Sequence, residues 1–380
     1  MLAVVMLINR AGSMVLPFLS IYLTQALGFS IEQTGVVLAC YGLGAMAGSM
    51  LGGWLSDKIG NYSVQVLSLT IGGALLIMLS FVQDYHTLLP AVFLVSMVLE
   101  TLRPANAASV ATYSKPENIT RSYSLNRMAV NLGFSVGPAI GGLLAAQSYQ
   151  LLFYVDGLTC MAAGLFFFIY FRRKGGHATT QKTSATPVKV SPYTNLSFIT
   201  FILLSGGFAL VFFQLFNTLP LFYREVHMLS ESTIGILLGL NGLIVFTFEM
   251  VFVHHFEKRI SIVTMVVLGT MLCGMSFAAL TLSSGIYILF IAMIILSLAE
   301  IMAMQFMITH VIGMAGGNKQ GSYIGLYSLA WSCAFMMSPY LSTRILAQNG
   351  FDVLWWSCAA FSVVRGIGFY INMKIAKRSV

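Results

Sequence analysis

Charged side chains are scarce in this sequence. Of its 380 residues only 8% are Asp, Glu, Lys or Arg, whereas 58% are hydrophobic. Soluble domains are about 25% charged, so the chain lacks the polar groups that a surface in water needs. A lipid bilayer removes that need, because lipid replaces water around the outer faces of the helices. The composition therefore excludes a soluble protein and predicts an all-α membrane protein.

Signals of several other protein classes are also missing. The five cysteines are far apart and form no CxxC pair, so neither a disulfide framework nor a metal site is predicted. No phosphate-binding loop of the Walker type is present, and no soluble segment is long enough for an ATPase. Since no nucleophile and base stand in a catalytic arrangement, we predict no enzyme and no cofactor. The energy for any transport must then come from an ion gradient or from the substrate's own gradient.

Long apolar runs are what the sequence has instead. A helix needs about 20 mostly apolar residues to cross a bilayer, and twelve such runs are present. They span roughly 2–26, 34–56, 62–83, 88–112, 122–146, 150–171, 196–222, 233–254, 261–283, 286–310, 321–346 and 351–373. No cleavage site follows the first run, so a secretory signal is not predicted. Because that run starts at residue 2, it stays open whether a short cytoplasmic lead is missing.

The longest polar stretch divides the runs into two sets of six. It extends from Arg172 to Asn195 and contains five basic residues, no acid, and many Ser, Thr and Gly, a composition typical of a flexible linker. We therefore predict an N-terminal six-helix bundle over 1–171, a cytoplasmic linker over 172–195 and a C-terminal six-helix bundle over 196–380.

The basic residues also predict an orientation. With the termini and the linker in the cytoplasm, fifteen Lys and Arg lie on that side, against two, Arg224 and Arg344, on the other. Positive loops stay in the cytoplasm, so the net charge of +8 is a topology signal and not a sign of nucleic-acid binding. We predict a multi-pass inner-membrane protein that works as a monomer.

The two sets of helices resemble each other at an offset of 200 residues. Four matches are in register and a fifth is shifted by one residue, which suggests an internal duplication of the kind found in transporters. The matches are Asp57-Lys58 with Glu257-Lys258, Tyr41-Gly42-Leu43 with Asn241-Gly242-Leu243, Glu100 with Glu300, Ser122-Tyr123 with Ser322-Tyr323, and Pro138 with Pro339.

Three local motifs carry a family resemblance. The loop after the second run is G-W-L-S-D-K-I-G from Gly53 to Gly60, the fourth run contains L-E-T-L-R-P-A-N, and the fifth contains G-F-S-V-G-P-A-I-G-G from Gly133 to Gly142. With twelve spans in two halves, these motifs resemble those of the major facilitator superfamily. The loop motif departs from the family pattern at Asn61 and Tyr62, where the family has Arg or Lys. The third motif is commoner in family members that export a substrate in exchange for protons.

The resemblance implies a set of residues that switch conformation. Asp57, with Gly53 and Gly60, would latch the start of the eleventh helix near Gly321 in the outward-facing state, unless Asp57 is only a solvated loop charge. In the fifth helix the glycines recur every fourth residue, so a neighbouring helix can approach closely, and a proline permits a bend. These residues either allow helices to slide or serve static packing. They are Gly133, Gly137, Pro138 and Gly141.

Acids inside the spans are the strongest sign of function, because a charge at the bilayer centre costs several kcal/mol. Glu100 and Arg103 are three residues apart and share a helical face, so they form either a proton-sensitive switch or a permanent ion pair. Glu300 has no cation nearby in sequence and either titrates during transport or only forms hydrogen bonds. Asp156 is placed near the outer end of the sixth helix, where it either takes protons from outside or faces water.

A substrate cavity is expected along helices one, four, seven and ten, which line the cavity in the resembling family. Its candidate polar residues are Asn9, Arg10, Gln214, Asn217 and Gln305. Arg10 either contacts the substrate, pairs with Glu100 or Glu300, or extends to the cytoplasmic interface. Many Phe and Met residues accompany these polar groups, a mixture that suits large amphipathic substrates.

The sequence therefore predicts a secondary transporter, driven by protons, that exports amphipathic small molecules such as drugs or metabolites. The first alternative is proton-driven uptake of a nutrient such as a sugar, a peptide or a siderophore, which the polar cavity residues keep open. A non-transporting receptor or scaffold is the alternative from another class. Its weakness is that a scaffold has little reason to carry four acids and three arginines within its spans.

Overall fold

The computed structural model describes residues 1–114, 119–172, 193–256, 259–283, 285–314 and 320–378, and within these ranges it contains helices and no strand. The predicted all-α fold class is confirmed. The helices are α1 (Leu2–Gly12), α2 (Val15–Ile21), α3 (Ile31–Ile59), α4 (Asn61–Leu79), α5 (Tyr85–Glu100), α6 (Leu102–Tyr113), α7 (Ile119–Ala145), α8 (Tyr149–Phe171), α9 (Leu196–Phe212), α10 (Leu219–Glu225), α11 (Glu231–Phe256), α12 (Ile262–Ala279), α13 (Ile286–Met314) and α14 (Gln320–Arg378).

Eleven helical segments in the described part of the chain are long and apolar enough to cross a membrane. The last of them, Ser322–Lys374, is interrupted at Gly350, whose φ of 80° and ψ of 179° are not helical. Divided there, it supplies two crossings, which gives the twelve that the sequence predicts. Large apolar side chains such as Met50, Leu203 and Val364 are more than half exposed. Lipid, and not water, is the solvent that suits such a surface.

Side-chain caps mark where many of these helices begin. Ser30 forms a capping box with Gln33 at the start of α3, and the Asp84 carboxylate accepts the Thr87 N–H at the start of α5. Such caps satisfy N–H groups that have no partner within the helix. This hydrogen bond from Thr87 lowers the pKa of Asp84, which lies outside the spans.

In the described part of the chain, three of the membrane helices are interrupted. The first consists of α1, α2 and a π-helical turn at Tyr22–Ala26. The fourth consists of α5 and α6, which meet at Thr101. The seventh consists of α9, a 3-10 turn at Phe213–Leu215, and α10. Within the described residues, the counterpart of the broken fourth helix, α13, runs without a break from Ile286 to Met314.

The offset of 200 residues reappears in the backbone. Helix α3 starts at Ile31 and α11 at Glu231. The loops before them repeat in detail, because Gly28 has a φ of 69° and Met228 a φ of 52°. Each loop is closed by an N–H that donates to a carbonyl six residues earlier, Phe29 to Leu23 at 3.0 Å and Leu229 to Tyr223 at 3.1 Å. This likeness supports the predicted duplication.

Contacts among residues divide the chain into two compact units. The first comprises Met1–Gln181 and Phe216–Leu243, and the second comprises Lys182–Leu215 and Ile244–Val380. Segment 216–243, which the sequence prediction assigned to the C-terminal bundle, packs with the first unit. Residues 173–192 of the predicted linker lie outside the described ranges, and the predicted domain boundaries stay a prediction.

Each unit has its own core. In the first, a cluster of buried residues joins α1, α4, α6 and α8, and it includes Val5, Leu69, Leu102 and Phe167. In the second, α12 packs against both α13 and α14. There the fully buried Trp355 stacks on Phe277 with ring centroids 5.2 Å apart.

Candidate functional site

The predicted pair of Glu100 and Arg103 is present at the break in the fourth helix. The Arg103 Nε lies 3.2 Å from the Glu100 Oε2, and the side chains are 62% and 15% exposed respectively. The pair therefore joins an enclosed carboxylate to an accessible guanidinium. Both hypotheses from the sequence, a proton-sensitive switch and a permanent ion pair, require this contact. The role of the pair as a proton-sensitive switch stays a prediction.

Arg10 lies in the interior of the first unit. Its guanidinium carbon is 5.4 Å from the centre of the Phe134 ring. Its Nε is buried and has no hydrogen-bond partner among the described residues, and the charges of Glu100 and Arg103 act on it. Glu100 therefore lies within electrostatic range of Arg10, and the pairing of Arg10 with Glu100 or Glu300 stays a prediction.

Asp156 is where the structure differs most from expectation. The sequence left open an interfacial acid that faces water, but Asp156 on α8 is only 5% exposed. Its Oδ2 accepts the backbone N–H groups of Met14, at 3.1 Å, and Val15, at 3.2 Å. These are the two residues at which α1 gives way to α2, so Asp156 satisfies N–H groups that the broken helix leaves without partners.

The other oxygen of this carboxylate contacts a thiol, and an amide in turn contacts that thiol. The Cys160 thiol donates to the Asp156 Oδ1 at 3.7 Å, and the Asn9 side-chain amide donates to the Cys160 sulfur at 3.2 Å. Asn9, predicted to line a substrate cavity, is buried and supports the helix break. The sequence indicated neither the break nor this use of Cys160. The two small residues Gly12 and Ser13 are the only local sign of the helix break.

The predicted glycine face of α7 packs against this same break. A Cβ on Gly133 would lie 2.5 Å from the Arg10 Cβ, and one on Gly137 would lie 3.0 Å from the Arg10 carbonyl oxygen. At Gly141 the corresponding distance to the Met14 Cβ is 3.1 Å. The close approach expected from these glycines is therefore observed, and its partner is the first helix.

The opposite face of α7 approaches α11 just as closely. A Cβ on Gly142 would lie 2.4 Å from the Glu231 carbonyl oxygen, and one on Gly235 would lie 2.4 Å from the Pro138 carbonyl oxygen. The Ser135 hydroxyl donates to the Gly239 carbonyl oxygen at 3.1 Å. Helix α7 continues through Pro138 without ending. The sequence singled out only the face of α7 that meets α1, although the spacing of glycines on α11 was a usable signal.

Polar groups add to the contact at the start of α11. The Tyr149 hydroxyl donates to the Glu231 Oε1 at 2.8 Å, and the Arg224 guanidinium lies 3.6 Å from the same oxygen. Arg224 also donates to the Leu229 carbonyl oxygen at 3.0 Å. All these residues belong to the first unit. Sequence reasoning missed the contact of Tyr149, which lies 82 residues from Glu231 along the chain.

The predicted latch residues lie at the junction of α3 and α4. Asp57 is exposed on the last turn of α3, and its predicted contact near Gly321 stays a prediction. Gly60 has a φ of 83°, a left-handed conformation that favours glycine. A Cβ on Gly53 would meet no described atom within 4 Å, so the close approach expected there is not observed among the described residues.

The remaining predicted residues all lie in the second half of the sequence. Gln214 is buried in the break of the seventh helix, where its amide donates to the Ser338 hydroxyl and to the Leu210 carbonyl oxygen, each at 3.0 Å. Asn217 is buried and falls in the first unit. Glu300 and Gln305 are half-buried on α13.

An aromatic cluster surrounds Trp331 in the second unit. Its ring lies 6.1 Å from Phe208, 5.9 Å from Phe213 and 5.7 Å from Tyr327, measured between centroids. The cluster borders the break that contains Gln214. The sequence predicted that Phe residues accompany the polar groups of the cavity, but it gave no sign that Trp331 is at the centre of this cluster.

Comparison with known proteins finds relatives that align with most of this chain. The chain is 26% identical over 361 residues to the MFS-type transporter YttB of Bacillus subtilis, covering 93% of this chain and 89% of that one. It is 23% identical over 391 residues to a Na(+), Li(+), K(+)/H(+) antiporter of Planococcus maritimus, covering 94% and 91%. It is 22% identical over 343 residues to the quinolone resistance protein NorA of Staphylococcus aureus, covering 89% and 87%.

A solved structure has the same fold. The peptide transporter POT in complex with sulfate matches with a TM-score of 0.80 at 18% identity, over 99% of this chain and 94% of that chain. The sequence profile described as Major Facilitator Superfamily matches residues 1–339. This chain belongs to the Major Facilitator Superfamily of secondary transporters.

Proposed function

We propose that this protein is a proton-coupled antiporter that exports amphipathic small molecules by alternating access. In this proposal it is a monomeric, multi-pass protein of the inner membrane with both termini in the cytoplasm. The proton gradient supplies the energy, and no cofactor takes part. Substrate would bind at the level of the helix breaks, and protonation would shift the balance between inward- and outward-facing states. That shift can only be as large as the difference in proton and substrate affinity between the two states.

The contact between Glu100 and Arg103 is the observation that carries the proposal. A membrane-embedded acid is costly to keep ionised without a partner, and here the partner is a guanidinium three residues away at 3.2 Å. A proton on Glu100 would remove the charge that holds Arg103, so the pair has two states that differ by one proton. Arg10, whose Nε has no partner among the described residues, lies where it can respond to that change.

Two of the relatives support the export proposal. One is described as a Na(+), Li(+), K(+)/H(+) antiporter, and another as a quinolone resistance protein. The glycine motif of α7, which the family uses most in proton-exchanging exporters, packs closely against helices on both of its faces. Smooth faces of this kind let helices shift along each other without clashes of side chains.

Glu300 and Asp156 complete the set of proton-coupling residues that we propose. Glu300 occupies the position equivalent to Glu100 in the second half of the sequence, and it is half-buried on α13. A substrate with aromatic rings suits the cluster around Trp331, because offset rings attract each other beyond the area that they bury. Gln214 would supply a polar contact beside it.

The test is transport into proteoliposomes with imposed pH gradients of both signs. A fluorescent quinolone serves as the probe, and wild-type protein is compared with Glu100→Gln. We expect the wild type to move the probe against the direction of proton flow. In the variant we expect accumulation to fall at least about tenfold, which corresponds to about 1.4 kcal/mol of lost coupling.

Glu32→Gln is the matched control, since Glu32 is an exposed acid in the first turn of α3, and it should accumulate the probe like the wild type. Movement of the probe in the same direction as protons would overturn antiport and favour the uptake of a nutrient. Full accumulation by Glu100→Gln would remove Glu100 from the mechanism.

A further inference from the structure

The break in the first helix depends on a carboxylate that comes from elsewhere in the chain. Met14 and Val15 point their N–H groups at one oxygen of Asp156, which lies on α8, 142 and 141 residues further along. Between Gly12 and Val15 the helical hydrogen-bond pattern is interrupted. The start of α2 is thus fixed by a side chain of another helix, and not by a cap of its own.

The contacts of Asp156 suit the ionised form. Its two oxygens accept from three donors, the N–H groups of Met14 and Val15 and the thiol of Cys160. An ionised carboxylate only accepts hydrogen bonds, whereas a protonated one must also donate. Hydrogen bonds to an ionised acceptor are also roughly twice as strong as those to a neutral one. Protonation would therefore weaken the hold of Asp156 on the start of α2.

Few other groups near Asp156 carry charge. From α1 the guanidinium of Arg10 acts on it, and from α3 the hydroxyl of Tyr41 lies within electrostatic range. On its own helix the neighbour is Cys160. Helix α4 packs against α8 but contains no acid or base. Helix α7 approaches with Gly141, and the nearer of its two basic residues, Arg127, is 14 positions away, about 21 Å along a helix.

Helix α2, whose start Asp156 holds, packs against other helices of the first unit. Helix α2 packs against α10, and a Cβ on Gly141 of α7 would lie 3.1 Å from the Met14 Cβ and 3.2 Å from the Phe18 ring. Helix α7 in turn touches α11 at Gly142 and Gly235. A change in the position of α2 would therefore reach helices from both halves of the sequence.

We infer that Asp156 is a positioning residue: when ionised it fixes the outer half of the first helix, Val15–Ala26, against α8, and when protonated it lets that half move. This inference rests on the proposed function, since it names the step by which a proton changes the shape of the transporter. It assigns to Asp156 a role distinct from that of Glu100, whose proton acts on the pair with Arg103.

The test measures the position of the outer half of the first helix as a function of pH. Spin labels are placed at Gln25 and Gln150, both exposed, and the distance between them is measured by pulsed electron spin resonance in lipid nanodiscs. The half-buried Cys40 and Cys333 are replaced by alanine, and the three buried cysteines are kept. Samples span mildly acidic to mildly alkaline pH.

We expect the distance distribution of the parent to shift with pH and that of Asp156→Asn to stay constant. The amide oxygen of asparagine can still accept from Met14 and Val15, so the variant should fold. Asp156→Glu, which restores a titratable group, should regain a shift. Glu100→Gln, which leaves the helix break intact, should shift like the parent.

Two results would overturn the inference, namely a shift that persists in Asp156→Asn or a parent without any shift. Either result would leave the proposed function standing if transport still follows the imposed proton gradient and depends on Glu100. Conversely, a shift that depends on Asp156 in a protein whose transport ignores the proton gradient would overturn the proposed function alone.

Discussion

The first and seventh membrane helices are both interrupted, at positions related by the offset of 200 residues, but different chemistry holds the two breaks. At the first break the N–H groups of Met14 and Val15 donate to the carboxylate of Asp156. At the second, Gln214, the equivalent of Met14, donates to Ser338 and to its own helix. The equivalent of Asp156 is Trp356, which is 55% exposed.

This difference shows how a duplicated fold can divide its tasks. Both halves keep the geometry of a broken helix in their first membrane segment. Among the contacts described, a titratable group holds the break in the first half and an amide and a hydroxyl hold the one in the second. If Asp156 takes up a proton as inferred above, protons act on the first break through a side chain that holds it, whereas Gln214 and Ser338 do not titrate near neutral pH.

The largest expected effect is on the free energy of unfolding, when Asp156→Ala at the first break is compared with Ser338→Ala at the second. The first change leaves two buried N–H groups without partners, at about 1–3 kcal/mol each, so the free energy of unfolding should fall by about 2–6 kcal/mol. The second removes one hydroxyl and should cost about 1 kcal/mol. Unfolding in mixed micelles, followed by tryptophan fluorescence, measures both. Equal losses would show that the two breaks are held with equal strength.

A smaller effect concerns the packing of the first break. A Cβ on Gly12 would lie 1.9 Å from the Thr159 Oγ1 of α8, whereas the equivalent position in the second half is occupied by the buried Phe212. Gly12→Ala should therefore cost about 1–3 kcal/mol through overpacking. Adding Thr159→Ala should restore part of that loss. A single variant as stable as the wild type would mean that α8 can move away freely.

The smallest effect tests the loops that follow the two breaks. Gly28 and Met228 both have a left-handed φ, 69° and 52°, and this conformation costs a residue with a side chain about 1–2 kcal/mol. Gly28→Ala should destabilise by about 1 kcal/mol, because nothing within 4 Å opposes the new methyl group and only the backbone is affected. Met228→Gly should stabilise by up to about 1 kcal/mol. Thermal unfolding midpoints of the two variants should move in opposite directions, and a shift of the same sign would contradict the equivalence of the loops.

Local patterns predicted much of this protein. Helix positions follow from apolar runs, because each run must hide its backbone from lipid by forming a helix. The pair of Glu100 and Arg103 follows from a spacing of three residues, since helical geometry alone brings such neighbours together. The glycines of α7 predicted a close approach, because only a helix without side chains on one face permits it.

Long-range partners could not be predicted in the same way. Nothing near Asp156 in the sequence shows that its carboxylate meets Met14, and nothing near Gly142 shows that it meets Gly235. The sequence therefore placed Asp156 by its distance along a helix and left open that it faces water. In the packed structure Asp156 is buried, because α8 directs this residue toward the break in the first helix and not toward water.

By itself the sequence determined an all-helical membrane protein with twelve crossings, an internal repeat and an ion pair within one helix. These features depend on apolar content and on spacing along the chain, which each segment carries alone. Only the tertiary structure decided that one carboxylate fixes the start of α2 and that α7 packs tightly on both faces. Those contacts join segments more than a hundred residues or several helices apart, and they exist only once the helices have packed.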